Sequence, residues 1–253
     1  MDFDPHKTIP GLHFKNPPIV EAVIALSVCP LPDAALQSFQ ACQAEMRTLG
    51  YRDPEPMTQH QFEMRIESGV PQYNTQDSAL GLKFLSEDGL HAVQFTKSVF
   101  VFSRLGRYDR WEQFRDEARR CWDIYFRAAS VVVPTVAGVR YINKLFIPSG
   151  ADFQEYVCAG PKFPDSISSS ITEMFMRVGV PIVDPQGTFI HTQALLPPER
   201  EGFATLLLDN DFQFPVQGRS SSEIWELLEL VRVIKDRYFV ELTTNKMRET
   251  FDA

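Results

Sequence analysis

The sequence predicts an α+β protein with two similar halves, each following a β-α-β(3–4)-α order with antiparallel sheets and helices packed on one face. Three observations predict this class: strand-like runs of β-branched or alternating residues, two long stretches with helical periodicity, and the same element order in each half. The halves cover residues 1–130 and 131–253 and are expected to form one compact body. Their junction lies near residues 129–135, where AASVVVP follows the first long helical stretch.

The first half begins with a strand over residues 18–28, PIVEAVIALSV, because β-branched residues dominate it. A helix is expected over 36–46, where apolar residues recur at helical spacing. Alternating apolar residues then predict four strands, at 62–66, 80–84, 92–95 and 99–102. The SEDG turn at 86–89 has the glycine that hairpin turns favour. Residues 110–128 have one apolar helical face, with Asp109 as the candidate N-cap.

The second half repeats this plan, with a strand over 136–147 and a short helix over 151–156. Three strand-like runs follow, at 171–183, 187–196 and 203–212. A long amphipathic helix over 223–243 is the last predicted element, and the serines at 220–222 supply N-cap hydroxyls. The doubled order is similar to that of the TATA-box-binding protein, and single helix-grip domains have one copy of it.

Composition and charge indicate which kinds of binding partner and which cellular location to expect for this protein. The 253 residues include 25 Lys and Arg against 33 Asp and Glu, a formal net charge of −8 that disfavours attraction of the whole surface to nucleic acid or anionic membrane. No apolar run approaches the length of a membrane span, and the first residues lack the pattern of a secretory signal. Four cysteines without a C-x-x-C pair are typical of reduced thiols. These features predict a cytoplasmic protein.

Several segments together resemble a known bacterial family. They are NPPIVEAV at 16–23, GVRYIN at 138–143, LDNDF at 208–212, and the LTTNKMRETF tail of the last helix. The chain resembles an uncharacterised family described as sporadically distributed, whose members have about this length. That patchy distribution implies a place in bacterial defence, toxin–antitoxin or other mobile loci. The resemblance assigns no cofactor and no role to any residue.

Two acidic residues are the first candidates for chemistry. Asp209 and Asp211 lie two apart on a predicted strand and therefore point to the same side. Such a pair can bind a divalent cation or share a proton, and it can equally be a strand end whose acids face water. His191 shares a strand face with Gln193 and is a candidate for a general base, or alternatively a hydrogen-bonded strand histidine.

A strand around Arg140 supplies the candidate ligand-binding residues Arg140, Tyr141 and Asn143. Alternation places Tyr141 and Asn143 on one face and Arg140 with Lys144 on the other. The Arg140 guanidinium can hold an anionic ligand, or it can form a structural pair with Glu21 or one of the two aspartates.

A local excess of arginine provides a candidate partner-binding surface. Residues 104–127 contain seven arginines and five acids, and Arg104, Arg107 and Arg119 represent this surface. The alternative is a solvated helix face whose charges pair at i,i+4 spacing.

The leading functional hypothesis is a non-enzymatic binding protein, acting as a partner, sensor or antitoxin-like component of a bacterial defence or mobile-element locus. Short catalytic, nucleotide-binding and metal-binding motifs are absent from the sequence, which predicts no cofactor and no metal site. One alternative is a metal-dependent hydrolase of nucleic acid or nucleotides that uses Asp209 and Asp211. Another is a binder of small anionic ligands through Arg140. A protein partner and a homodimer are expected, whereas nucleic acid and membranes are not.

Overall fold

A computed structural model describes residues 14–67, 70–106, 108, 110–130, 132–162, 164, 166 and 171–252, with side chains for all of these except 60–67 and 70–76. Within these residues nine strands form: β1 (Ile19–Val28), β2 (Glu55–Glu67), β3 (Val70–Leu85), β4 (His91–Thr96), β5 (Val99–Leu105), β6 (Pro134–Pro148), β7 (Phe175–Ile182), β8 (Gly187–Leu196) and β9 (Phe203–Pro215). The helices are α1 (Ala34–Ala41), α2 (Gln43–Thr48), α3 (Trp111–Ala128), α4 (Ser221–Leu242) and α5 (Asn245–Glu249). A short 3-10 helix covers Phe153–Glu155.

All nine strands belong to one antiparallel sheet, in the order β2-β3-β4-β5-β1-β6-β9-β8-β7. The prediction of two packed β-α-β(3–4)-α halves, with separate antiparallel sheets and helices on one face, is therefore wrong. The strand β1 has hydrogen-bonded neighbours on both sides, β5 and β6. Two separate sheets would have left the β6 side of β1 as an unpaired edge, which proteins avoid for long apolar strands.

The two long helices agree with the predicted periodicity. The helix expected over 110–128 is α3, and the one expected over 223–243 is α4. At the start of α4, Ser220 accepts from the Glu223 N–H and the Glu223 carboxylate accepts from the Ser220 N–H, which forms a capping box. The N-cap of α3 is Arg110, without a side-chain cap, and the predicted cap Asp109 lies outside the described residues. No described helix is both long and apolar enough to cross a membrane.

The main core lies between the sheet and helices α1, α3 and α4. Phe39 of α1 stacks on Tyr125 of α3 with ring centroids 5.1 Å apart. Ile24 and Leu26 of β1 are fully buried in this core, so we call their side of the sheet the helix side. Odd-numbered residues of β6 share the helix side, and Arg140 therefore belongs to the opposite side.

A smaller core covers the far end of β6 and β9. Leu145 and Leu208 are fully buried there and pack with Met247 of α5 and with Phe251. The segment after α4 therefore extends the apolar cover of the helix side along these two strands.

Candidate functional site

Arg140 of β6 and Asp209 of β9 form an ion pair on the opposite side of the sheet. The guanidinium Nε donates to Asp209 Oδ1 at 2.8 Å, and Nη2 donates to Oδ2 at 2.6 Å. Two parallel hydrogen bonds of this kind are strong because both partners are charged and planar. The hydrogen bonds to Asp209 raise the pKa of Arg140. The predicted structural pairing of Arg140 with one of the two aspartates is confirmed.

Asp211 lies on the same side of β9 as Asp209, as alternation predicts. Its register partner is Arg140, and Gln213 Nε2 donates to Asp211 Oδ2 at 2.7 Å. Burial raises the pKa of Asp211, although the hydrogen bond from Gln213 and the nearby arginines act against this rise. Among the described residues no group of three or more His, Cys, Asp or Glu could hold a metal ion. Asp209 would have to leave Arg140 before it could join Asp211 as a metal ligand.

His191 of β8 lies in a buried hydrogen-bond network on the helix side. Its Nδ1 is 2.8 Å from Asn210 Oδ1, and its Nε2 is 3.0 Å from Gln193 Nε2. An amide nitrogen only donates, so Nε2 of the ring accepts and Nδ1 carries the proton. Gln193 Nε2 also donates to the Ala159 carbonyl at 2.8 Å. Burial lowers the pKa of His191, which favours its neutral form.

The sheet separates His191 from the two aspartates. In the β8–β9 ladder His191 lies opposite Asn210, whereas Asp209 lies opposite Thr192. Side chains of directly opposed residues share one side of a sheet, and neighbours along a strand alternate. The structure therefore brings Asp209 and Asp211 together, but it places the third catalytic candidate on the other side.

The other predicted ligand-binding residues also face the helix side. The Tyr141 hydroxyl is 3.2 Å from the Tyr108 hydroxyl, and burial raises the pKa of Tyr141. Asn143 is buried and donates from Nδ2 to the Leu208 carbonyl at 3.1 Å. Arg140 faces away from both, so the three residues do not line one pocket.

The predicted partner-binding arginines do not belong to one element. Arg104 lies in β5, where its Nη1 is 3.3 Å from His91 Nε2. Arg119 lies in α3, and its guanidinium carbon is 6.0 Å from the centre of the Trp225 ring of α4. Arg107 lies outside the described residues. Further arginines of α3 pair with carboxylates of this chain, in the contacts Arg115–Glu229, Arg120–Glu117 and Arg127–Glu45.

The outer edge of β7 is a surface that was not predicted from the sequence. This strand is the last in the sheet, and within the described residues it pairs only with β8. Seven large hydrophobic side chains are exposed among the described residues, and four lie in or directly after β7: Phe175 at 74%, Val178 and Val180 at 42%, and Val183 at 88%. The signal in the sequence was the run FMRVGVPIV, which is apolar at both odd and even positions.

No protein-family model matches the chain, and no curated protein is significantly similar to it. The family resemblance of the sequence motifs therefore stays a prediction, and no residue acquires a role by comparison.

Proposed function

We propose that this chain is a non-enzymatic binding protein that adds an extended strand of a polypeptide partner to the outer edge of β7. The observation that carries the proposal is the concentration of exposed apolar side chains along this edge strand and directly after it, from Phe175 to Val183. An edge strand presents backbone N–H and C=O groups in a row, and a partner strand can pair with them.

The composition of β7 supports this role. Natural sheets protect their edges with charged residues, prolines or bulges. In β7 the single charged residue is Arg177, and Pro181 removes one N–H donor but keeps its carbonyl as an acceptor. The remaining side chains are apolar or absent, so a partner strand would bury them on both sides of the sheet.

The placement of the catalytic candidates also supports a non-enzymatic role. The hydrolase alternative would need Asp209 to release Arg140, which breaks a bidentate contact whose acid is almost fully buried and is therefore unfavourable. In the anionic-ligand alternative an anion would reach only the Arg140 donors that Asp209 does not use, on a guanidinium whose charge is already paired with a carboxylate.

The family resemblance extends the proposal to the cellular setting. The chain would act in the cytoplasm as a partner, sensor or antitoxin-like component of a defence or mobile-element locus. Partners in such loci are commonly encoded together, so the product of the neighbouring gene is the protein to test.

Co-expression of the tagged chain with that neighbouring product tests the proposal. We expect the product to be recovered with the wild type and with the control Val133→Lys, which changes an exposed valine outside β7. The double variant Val178→Lys/Val180→Lys should lose it, because lysines on an edge strand oppose pairing. Failure to recover the product, or equal recovery with the double variant, would contradict the proposal.

A further inference from the structure

We propose that a second copy of this chain occupies the outer edge of β7 when no other partner is bound. The two β7 strands pair antiparallel about a two-fold axis at Gly179 and join the two sheets edge to edge. This inference rests on the proposed function, in which the same edge binds a strand.

The residues from Phe175 to Val183, the first turn residue after β7, form a pattern that is self-complementary about Gly179. Antiparallel pairing centred there sets Phe175 opposite the partner's Val183 and Val178 opposite the partner's Val180. It also sets Met176 opposite the partner's Ile182. Phe175 and Val183, the two most exposed of the large apolar side chains that the structure describes, thus meet each other, and the two-fold axis repeats every pair.

No contact among the described residues requires a glycine at position 179. Gly179 does not have the positive φ that favours glycine, and a Cβ added there would have no atom of the described residues within 4 Å. Glycine inside a strand weakens it, and it often marks a place where another backbone approaches closely. On the two-fold axis Gly179 faces Gly179 of the second copy, so the close approach of that backbone would explain the glycine.

Charge does not oppose this register. Arg177, the one charged residue of β7, lies opposite the partner's Pro181. The two arginines are then offset by four residues, or about 13 Å along the strands, which exceeds the screening length of about 8 Å at physiological ionic strength.

The small size of the β7–β7 contact leads us to expect weak association. Nine residues from each copy form a smaller interface than the standard of about 1,600 Å². We therefore expect a dissociation constant in the micromolar range and a mass that depends on concentration.

Light scattering on the purified chain tests the inference. The mass should rise with concentration toward twice the 28.9 kDa of one chain, for the wild type and for Val133→Lys. The variants Val178→Lys/Val180→Lys and Val178→Glu/Val180→Glu place like charges opposite each other, so each should dissociate at least about 10-fold more readily. Mixing the two variants places opposite charges together and should restore the dimer.

A cysteine on the axis locates the contact independently. In a background with the exposed Cys29 and Cys158 changed to serine, Gly179→Cys should form a disulfide-linked dimer on oxidation. Opposed strand residues have Cα atoms about 4.5–5.5 Å apart, within disulfide range. The control Phe175→Cys should not cross-link, because position 175 faces position 183 of the partner.

Three results would overturn the inference: a wild type that stays monomeric across the micromolar range, a dimer that both charged variants retain, or two monomeric variants that do not associate when mixed. These results do not depend on the neighbouring gene product. If that product is still lost with Val178→Lys/Val180→Lys, the proposed function stands and only the second copy is excluded.

Discussion

Arg140 and Asp209 share two hydrogen bonds but differ in exposure, so their removal should have unequal effects on stability. The side chain of Asp209 is 7% exposed, whereas that of Arg140 is 44% exposed. Arg140→Ala leaves a carboxylate buried without its cation, which costs about 3 kcal/mol. Asp209→Ala leaves a guanidinium that water reaches and removes a like charge near Asp211, so it costs only about 1 kcal/mol.

Urea and thermal unfolding, followed by tryptophan fluorescence at neutral pH, measure this difference. For a chain of this size 1 kcal/mol corresponds to about 2–4 °C, so Tm should fall by about 6–12 °C for Arg140→Ala and about 2–4 °C for Asp209→Ala. The double variant should show a coupling of about 1 kcal/mol, since the second substitution removes a partner that is already lost. Equal losses of stability, or a larger loss for Asp209→Ala, would contradict the unequal burial of the two partners as the cause.

Three further predictions use the same unfolding assay. Burial raises the pKa of Asp211, so the folded chain keeps this proton longer and the contribution of Asp211 to stability decreases as pH rises above the ordinary value of 3.8. Asp211→Asn should lack this decrease and unfold at a higher urea concentration at neutral pH. Burial lowers the pKa of His191. The contribution of neutral His191 to the stability of the fold is therefore complete above the ordinary pKa of 6.5, and it decreases as pH falls toward the lower pKa of the folded state. His191→Gln should lack the loss of stability that the wild type shows as pH falls below 6.5, and a pH profile of stability that this substitution leaves unchanged would contradict the prediction. A Cβ on Gly81 would lie 2.0 Å from the Phe95 carbonyl oxygen, so Gly81→Ala should cost about 3 kcal/mol. Gly179→Ala, which meets open space, should change the stability of the dilute protein by less than about 0.5 kcal/mol.

Local features of the fold could be predicted from the sequence because their signals lie within a few residues. The apolar face of α3 and the serines before α4 are examples. The SEDG turn is another, and Gly89 there has a φ of +71°. The pairing of β1 with β6 has no such local signal, because the strands are separated by more than a hundred residues and their register depends on all the strands between them.

In the candidate site, too, some features could be predicted from one strand alone and others could not. Alternation within β9 placed Asp209 and Asp211 on one side, and the structure agrees. The choice of Asp209 as the partner of Arg140 depends on the register between β6 and β9. The position of His191 on the other side depends on the register between β8 and β9. Registers between strands are set by the whole sheet and its turns, so single-strand patterns do not specify them.

The apolar composition of β7 suits a strand that is paired on both sides, although β7 lies at the edge of the sheet of one chain. A strand that is apolar on both faces is typical of the interior of a sheet, whereas β7 is an edge. Arg177 and Pro181 are the only edge-protecting residues of β7, and apolar edges that stay open lead to aggregates of many sizes. Pairing about a two-fold axis instead consumes both β7 edges, and growth through β7 stops at two copies because an isologous contact is closed. A single species of twice the chain mass, rather than a distribution of larger masses, is therefore the specific signature of β7 pairing.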